Sequence, residues 1–465
     1  MMCSLTDGEG GGSKSGSSSS SSIAELRCSQ SWEAAPLSLP PSSLAGGQAG
    51  SDSDLESDQA DQPEWRNSLT ADQLAGLDTR ETKRQDVINE LFHTERSHVR
   101  NLRVLDRVFR RPLLDSGLMP REVVDRLFPN LGEVLGVHSS YNTAMRTMAR
   151  AGFPIGNIGE LLSDMFLGSY GDKLIEVGAE FTKNQKFTIE ELKRIRSRDS
   201  RVEQKLSELE ADPACRRLQL QSLLPVEHTR LVKYPLLLEQ IVKYSRQSSA
   251  ELERVKEVTS RTKEILDSID KQVAEAQNRQ KLVEVQRSLD TSGLEKMGPD
   301  NPVCVEYRSV DLTRFRLLYE GQLTLNLGGE NKRTKNIELH VLLLEDCVMF
   351  LQRQDDRYLL KFHTGASSIV PGGTRDEVKK IHSPIIKFST MLVRPVATNK
   401  RAFYLMNTGG SVQVGAQLYE LQAGSTTERA TWLTHISEAS AAYKAKEQRF
   451  RPSNSHGNIS FVQVR

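Results

Sequence analysis

The sequence predicts a multidomain chain: a disordered amino-terminal tail, an all-α helical bundle, and a small β-barrel closed by a carboxy-terminal helix. Three observations carry this. Residues 1–62 are dominated by Ser, Gly and acidic side chains; apolar residues then recur at three- and four-residue steps to about residue 286; and after Gly298-Pro299 the period switches to short apolar strands.

The tail, from the run Ser17 to Ser22 to the acidic stretch 51–58, buries too little apolar area to offset its chain entropy and reads as a solvated spacer. A short extension follows at 63–79. The bundle is placed at 80–276. In its first helix Ile88, Leu91, Phe92, Val99, Leu102, Leu105 and Phe109 form one core-facing stripe, and a second run comprises Leu252, Val255, Val258, Ile265, Leu266, Ile269 and Val273. Between them, Leu218 to Ile241 is helical in composition but carries Pro225 and Pro235, each of which removes an internal hydrogen bond and is expected to bend or break the helix. Helical pieces with short turns imply a bundle.

A helical linker is assigned to 277–310 and the barrel to 311–445. Its strands are expected within 320–326, 337–344, 347–351, 357–362 and 402–406. Ser425 followed by Glu428 makes a capping box, and Trp432, Leu433 and Ile436 form the apolar face of a helix that plugs the barrel. Residues 446–465 read as a flexible tail.

Composition excludes several classes. A net charge of +1 with 26% charged residues provides no global field toward nucleic acid. Five scattered cysteines form neither a disulfide framework nor a metal-ligand spacing, which fits a reducing, cytoplasmic environment with no resident metal or cofactor. No signal pattern and no run of about 18 apolar residues is present, so membrane contact is expected to be peripheral. No nucleophile elbow, P-loop or paired-ligand motif points to covalent chemistry.

Two blocks resemble a known family. Arg84-Gln-Asp-Val-Ile-Asn-Glu-Leu-Phe-His-Thr-Glu95 with Val99-Arg-Asn-Leu102 is similar to the first signature of Dbl-homology (DH) exchange domains. Arg217-Leu-Gln-Leu220 with Arg230-Leu-Val-Lys-Tyr-Pro-Leu-Leu-Leu238 is similar to their third. The segment from Tyr319 to Ala442 resembles the pleckstrin-homology (PH) domain that follows them. Within the family, Cys215-Arg-Arg-Leu-Gln-Leu220, Val341-Leu-Leu-Leu344 and Leu351-Gln-Arg-Gln-Asp-Asp356 resemble the RhoA-directed factors of the p115, LARG and PDZ-RhoGEF group. That group's RGS-homology domain has no counterpart in this sequence, so its regulation by heterotrimeric G proteins is not carried over.

The resemblance implies a guanine-nucleotide exchange factor for a Rho-family GTPase, RhoA foremost, working at the plasma membrane after recruitment from the cytoplasm. Such a protein binds the emptied GTPase better than the loaded one and so, by linkage, weakens nucleotide binding. A helical projection sets Glu90 beside Asp86, His93, Thr94, Ser97 and Asn101, opposite the apolar stripe. The resemblance gives its carboxylate to switch I of the GTPase. Glu95 falls within the stripe and is read as a structural pair inside the bundle.

The family's GTPase-facing lysine matches Lys233, which the residues alone equally allow as a stem covering a bent helix. Leu236, Leu237 and Leu238 read as core. Arg216 and Arg217 match an arginine pair that meets acidic residues on RhoA, or else form a snorkelling surface pair. Asp270 stands where close relatives have asparagine, which exchanges a donor toward switch II for an acceptor. Trp65, in Gln62-Pro-Glu-Trp65, resembles an extension that folds onto the DH domain and supports GTPase binding; a local hydrophobic anchor is the alternative.

In the PH-like segment, Tyr404 and Met406 share one face of a strand and match the group's exposed patch for GTP-bound RhoA. Period two leaves open which face is inside. Lys332, Arg333 and Lys335 form a basic loop with at most weak, generic attraction for anionic lipid.

Overall fold

The computed structural model describes residues 65–246, 249–327, 335–364, 381–409 and 416–450. They divide into two compact units, a helical one ending at Ser288 and joined by Asp311–Leu317, and a sheet-containing one formed by Leu289–Val310 and the chain from Leu318 onward.

Numbering helices of eight residues or more, the helical unit contains α1 (Thr79–Val104), α2 (Leu131–Ala151), α3 (Gly159–Phe166), α4 (Gly168–Thr182), α5 (Gln185–Arg198), α6 (Ser200–Glu210), α7 (Val226–Tyr244) and α8 (Ala250–Arg287). Asp78 starts α1 by accepting from the Glu81 backbone N–H, and Ser249 does the same for α8 through Leu252. Every member of the first predicted stripe is buried, as is the second run through Ile269, with Val273 partly covered at the cluster's edge. At Pro225 the chain turns into α7, but α7 runs on through Pro235. Its missing N–H deprives Leu231 of one acceptor bond. One lost bond is tolerated because α7 is held on one flank by α1 and on the other by α8.

The core of this unit is split. One apolar cluster takes Ile88, Leu91 and Phe92 from α1, Tyr141 and Met145 from α2, and Leu231 to Ile241 from α7. The other takes Leu102 to Phe109, Leu131 and Val134, and the turn before α7. Between them, at matching heights on three helices, lie Glu95 and His98 of α1, His138 of α2, and Glu227 and Arg230 of α7, all buried. Gly178 of α4 permits close approach to this layer: a Cβ there would come within 3.2 Å of Leu231 and 3.6 Å of the Glu227 carboxylate.

The segment 277–310, read from sequence as a helical linker, is largely helical: it carries short helices at Ser292–Met297 and Pro302–Tyr307 as well as the end of α8, which stops at Arg287. Beyond it Leu289–Asp290 pairs in parallel with a strand of the sheet unit, and Leu294, Cys304 and Tyr307 are buried.

In the sheet unit, β1 (Leu317–Leu327), β2 (Lys335–Leu344), β3 (Cys347–Gln354), β4 (Arg357–Leu359), β5 (Ile385–Lys387), β6 (Met391–Pro395), β7 (Ala402–Asn407) and β8 (Gln417–Gln422) are ordered β4-β3-β2-β1-β8-β7-β6, with β5 added to β3. The terminal helix α9 (Thr426–Phe450) seats Trp432, Ile436 and Ala439 in the core, while Leu433 is only partly buried. Gly321 makes room for it: a Cβ there would meet the Trp432 ring at 3.2 Å. Ser425 accepts from the Glu428 N–H as expected of a capping box, whereas the Glu428 carboxylate takes the N–H of Gly424. Among the described residues no helix is long and apolar enough to cross a membrane.

Candidate functional site

The buried layer sets the geometry of the surface above it. The Arg230 guanidinium donates from Nε to Glu95 Oε2 at 2.7 Å, from Nη1 to Thr94 Oγ1 at 2.7 Å and from Nη2 to the Leu91 carbonyl at 3.2 Å. Tyr234 Oη donates to the same Glu95 oxygen at 2.7 Å. Both ring nitrogens of His138 face carboxylates, Nδ1 toward Glu95 at 2.8 Å and Nε2 toward Glu227 at 3.3 Å. Carboxylates only accept, so His138 donates twice and is an imidazolium.

Titration follows from this arrangement. Burial alone disfavours the His138 charge, but Glu227 and Glu95 outweigh it and lift its pKa to about 10. Burial pushes the Glu227 carboxyl up, yet the charge and hydrogen bond of His138 bring it down to about 2. Glu95 is likewise held far below the usual carboxylate range by Arg230 and His138 against the effect of burial. His98, desolvated and beside the His138 charge, is shifted down; its Nε2 donates to Glu227 at 3.1 Å.

His98, His138 and Glu227 bring ligand-type atoms within 4.8 Å of one another. The donors of both imidazoles are already committed to carboxylates, and two carboxylates are matched by Arg230 and the His138 imidazolium. The chemistry is that of a hydrogen-bonded network in which, among the named groups, His98 Nδ1 is buried without a hydrogen-bond partner. Glu95 is legible in the sequence as an internal pair. His98 three residues on, and Glu227 three residues before Arg230, carry the same helical spacing, which is the signal that sequence reasoning missed.

Above the layer the exposed side chains gather around α7. Glu90 is exposed on α1, one residue before the carbonyl that Arg230 holds. Lys233 is exposed on α7, and Leu236 one turn further is 51% exposed, contrary to its reading as core. Three successive leucines span about 200° of a helix, so Leu237 and Leu238 face inward and Leu236 cannot. On the other flank His228 Nε2 of α7 meets Asp270 Oδ1 of α8 at 3.0 Å.

Arg216 and Arg217 are exposed and adjacent in the left-handed region, with φ of 49° and 65°. Their turn is anchored where Arg100 of α1 donates to the Ala214 carbonyl at 2.7 Å. Ten residues separate Arg100 from Glu90, about 15 Å along the helix. The turn that carries the arginine pair is therefore anchored on α1 at a place separate from the turn that carries Glu90.

Trp65 is buried at 3% exposure against Phe153, and its Nε1 donates to Asp86 Oδ1 at 2.9 Å. Arg66 Nη2 donates to both oxygens of the same carboxylate, at 2.9 and 2.7 Å. The indole is thus an anchor on α1, one turn from Glu90, and its ring is not offered to a partner.

In the sheet unit, Phe403 and Leu405 enter the core while Tyr404 and Met406 point outward, half-buried. Met406 lies across from Leu392 on β6 and Leu418 on β8, which are 46% and 50% exposed. Tyr404 is flanked in register by Arg394 and Glu420. Lys332 and Arg333 lie outside the described residues, and Lys335 opens β2.

Comparison with known proteins agrees with this architecture. The RhoGEF domain family matches residues 87–270 and a PH domain family matches residues 301–441. Rho guanine nucleotide exchange factor 11 of Homo sapiens is 39% identical over 388 residues, 83% of this chain and 24% of that protein. Rho guanine nucleotide exchange factor 1 of Mus musculus is 35% identical over 410 residues, 88% of this chain and 43% of that protein. The chain spans about a quarter of the first of these relatives. Among solved structures, the PDZ-RhoGEF DH/PH domains in complex with GTP-gamma-S activated RhoA superpose with a TM-score of 0.74 at 38% identity, covering 81% of this chain and 99% of that one. The DH/PH domains of p115-RhoGEF superpose with a TM-score of 0.69 at 34% identity, covering 82% and 99%. With both signature blocks folded into a helical bundle ahead of a strand-and-helix unit, the chain belongs to the RhoGEF family, in its tandem DH-PH form.

Proposed function

We propose that this chain is a guanine-nucleotide exchange factor for a Rho-type GTPase, with RhoA as the preferred partner, and that it acts without covalent chemistry by binding the nucleotide-free state most tightly. The observation that carries the reading is the rim around α7, where Glu90, Lys233 and Leu236 stand exposed above a buried charged layer that fixes their helices. A carboxylate, an ammonium and an exposed leucine on rigid elements suit a polar switch surface. Arg216 and Arg217, on their separate turn, are the proposed source of the RhoA preference, since paired guanidinium groups select acidic partners. The test is a nucleotide-release panel. The chain should accelerate loss of a fluorescent guanine nucleotide from RhoA and do so more weakly for Rac-type GTPases; no acceleration on any Rho-family member removes the reading.

Asp270 modulates the rate in this proposal. Its carboxylate already accepts from His228, which offsets part of its charge but supplies no outward donor. In Asp270→Asn the amide oxygen keeps the His228 bond and the NH2 is free to donate. Exchange on RhoA is expected to rise about twofold to tenfold, the range given by one net hydrogen bond of about 0.5–1.5 kcal/mol. A slower variant would show that the carboxylate itself is the useful group.

A second reading is favoured by the ribbon Leu392, Met406 and Leu418 with Tyr404 beside it. It is an exposed apolar strip across three strands, of the kind that marks a protein-binding surface. In this reading the PH domain holds GTP-loaded RhoA. Met406→Asp should then weaken capture of the GTP-loaded form by about tenfold or more while solution exchange is unchanged. If the chain bound the GTP state more tightly than the empty one, the adaptor role would replace the exchange role.

A further inference from the structure

We infer that Arg230 is a positioning residue: from the buried layer it fixes the turn of α1 that presents Glu90 and ties that turn to the turn of α7 that presents Lys233. The inference rests on the exchange reading above.

The geometry is a relay across two helices. Arg230 is fully enclosed, its guanidinium lying 4.3 Å over the Tyr234 ring and its Nε held by Glu95. This leaves the two terminal nitrogens aimed at α1. Nη1 donates to Thr94 Oγ1 at 2.7 Å, and that hydroxyl in turn donates to the Glu90 carbonyl at 2.7 Å. Nη2 donates to the carbonyl of Leu91 at 3.2 Å. The Leu91 carbonyl therefore receives a hydrogen bond directly from the neighbouring helix, and the Thr94 hydroxyl that bonds the Glu90 carbonyl from within α1 is itself held by that helix. Arg230 and Lys233 stand on one turn of α7, three residues apart, with Arg230 buried against α1 and Lys233 exposed at the edge of that face.

Such a clamp matters for exchange more than for folding. Two charged groups that must meet a GTPase surface together need a fixed separation, and a small misplacement costs heavily where the partner surface is rigid. A planar guanidinium reaches Glu95, Thr94 and the Leu91 carbonyl from three separate nitrogens in a fixed plane; an ammonium has three donors but only one nitrogen, which does not span those three acceptors. Glu95 would still find a cation in Arg230→Lys, so the buried charge remains paired while both links to the Glu90 turn are lost. Thr94→Val is the gentler variant. It breaks the Thr94 link at a partly exposed position and leaves the Arg230–Glu95 pair intact.

The experiment is a double-mutant cycle on the full chain, reading affinity for nucleotide-free RhoA by calorimetry and thermal midpoint by circular dichroism. Arg230→Lys and Thr94→Val are each expected to weaken binding by about tenfold and about threefold respectively. In a Glu90→Ala background neither should weaken it further, whereas any change in thermal midpoint should be the same in both backgrounds. A purely structural role would give equal losses with and without Glu90, which would overturn the inference. So would unchanged affinity in Thr94→Val, a result that stands even where Arg230→Lys fails to fold. If Glu90→Ala alone leaves affinity intact, the exchange reading of the rim fails first; if Glu90→Ala weakens binding while the other two do not, only the positioning role of Arg230 fails.

Discussion

Glu90→Ala is expected to cut nucleotide release from RhoA by about a hundredfold or more while leaving the circular dichroism spectrum and thermal midpoint unchanged. The carboxylate is exposed on α1 and, among the described residues, stands outside the ion pairs that tie the helices together, so its loss removes no such link; surface substitutions of this kind stay within about 0.5 kcal/mol. Its contribution arises only in complex. There a desolvated charge pair broken on one side costs about 2–5 kcal/mol, and each 1.4 kcal/mol is tenfold in affinity. Because exchange is driven by the difference in affinity between empty and loaded GTPase, the loss falls on the rate. Stopped-flow release of a fluorescent guanine nucleotide reads it directly. A rate near that of the unmodified chain would remove Glu90 from the rim's chemistry and leave Lys233 and Leu236 to carry it.

Periodicity is what singles out this residue in the amino-acid sequence. On a 26-residue helix the apolar stripe is long enough to fix the phase, so Glu90 falls outside and Glu95 inside without ambiguity. The same logic fails at Leu236, because a run of apolar residues carries no phase and only packing decides which one is left out. It fails also for β8, Gln417–Gln422, where Leu418 faces outward and Leu421 inward, blurring the alternation that would mark a half-buried strand. Period two pairs Tyr404 with Met406, but the side they face is set by Phe403 and Leu405 filling the core. The buried layer is half legible. Glu95 announces itself as a charge in an apolar stripe, whereas its partners come from positions 138, 230 and 234, and nothing local in a sequence states that distant polar residues share one height in a bundle.

That layer yields the second large effect. Glu95→Ala leaves Arg230 and the His138 imidazolium without their shared anion in a fully enclosed site, and breaking a buried pair from one side costs about 3–5 kcal/mol. The unmodified chain should show the same network in its pH profile. His138 has a native pKa of about 10 against 6.5 for an ordinary histidine, so between these values the folded state holds a proton that the unfolded state has lost. Its stabilisation is complete below 6.5 and disappears as pH rises toward 10, with a slope no steeper than about 1.4 kcal/mol per pH unit. Glu227 acts at the other end: its contribution is complete above 4.5 and is lost as pH falls toward 2. His98 is shifted the opposite way from His138, so the unfolded state protonates first below 6.5 and stability begins to fall there already. Urea unfolding across pH should therefore peak near 6.5 with limbs on both sides. In His138→Gln the alkaline limb between 6.5 and 10 should flatten, whatever the variant's absolute stability, and an unaltered limb would mean that the proton sits elsewhere than between Glu95 and Glu227.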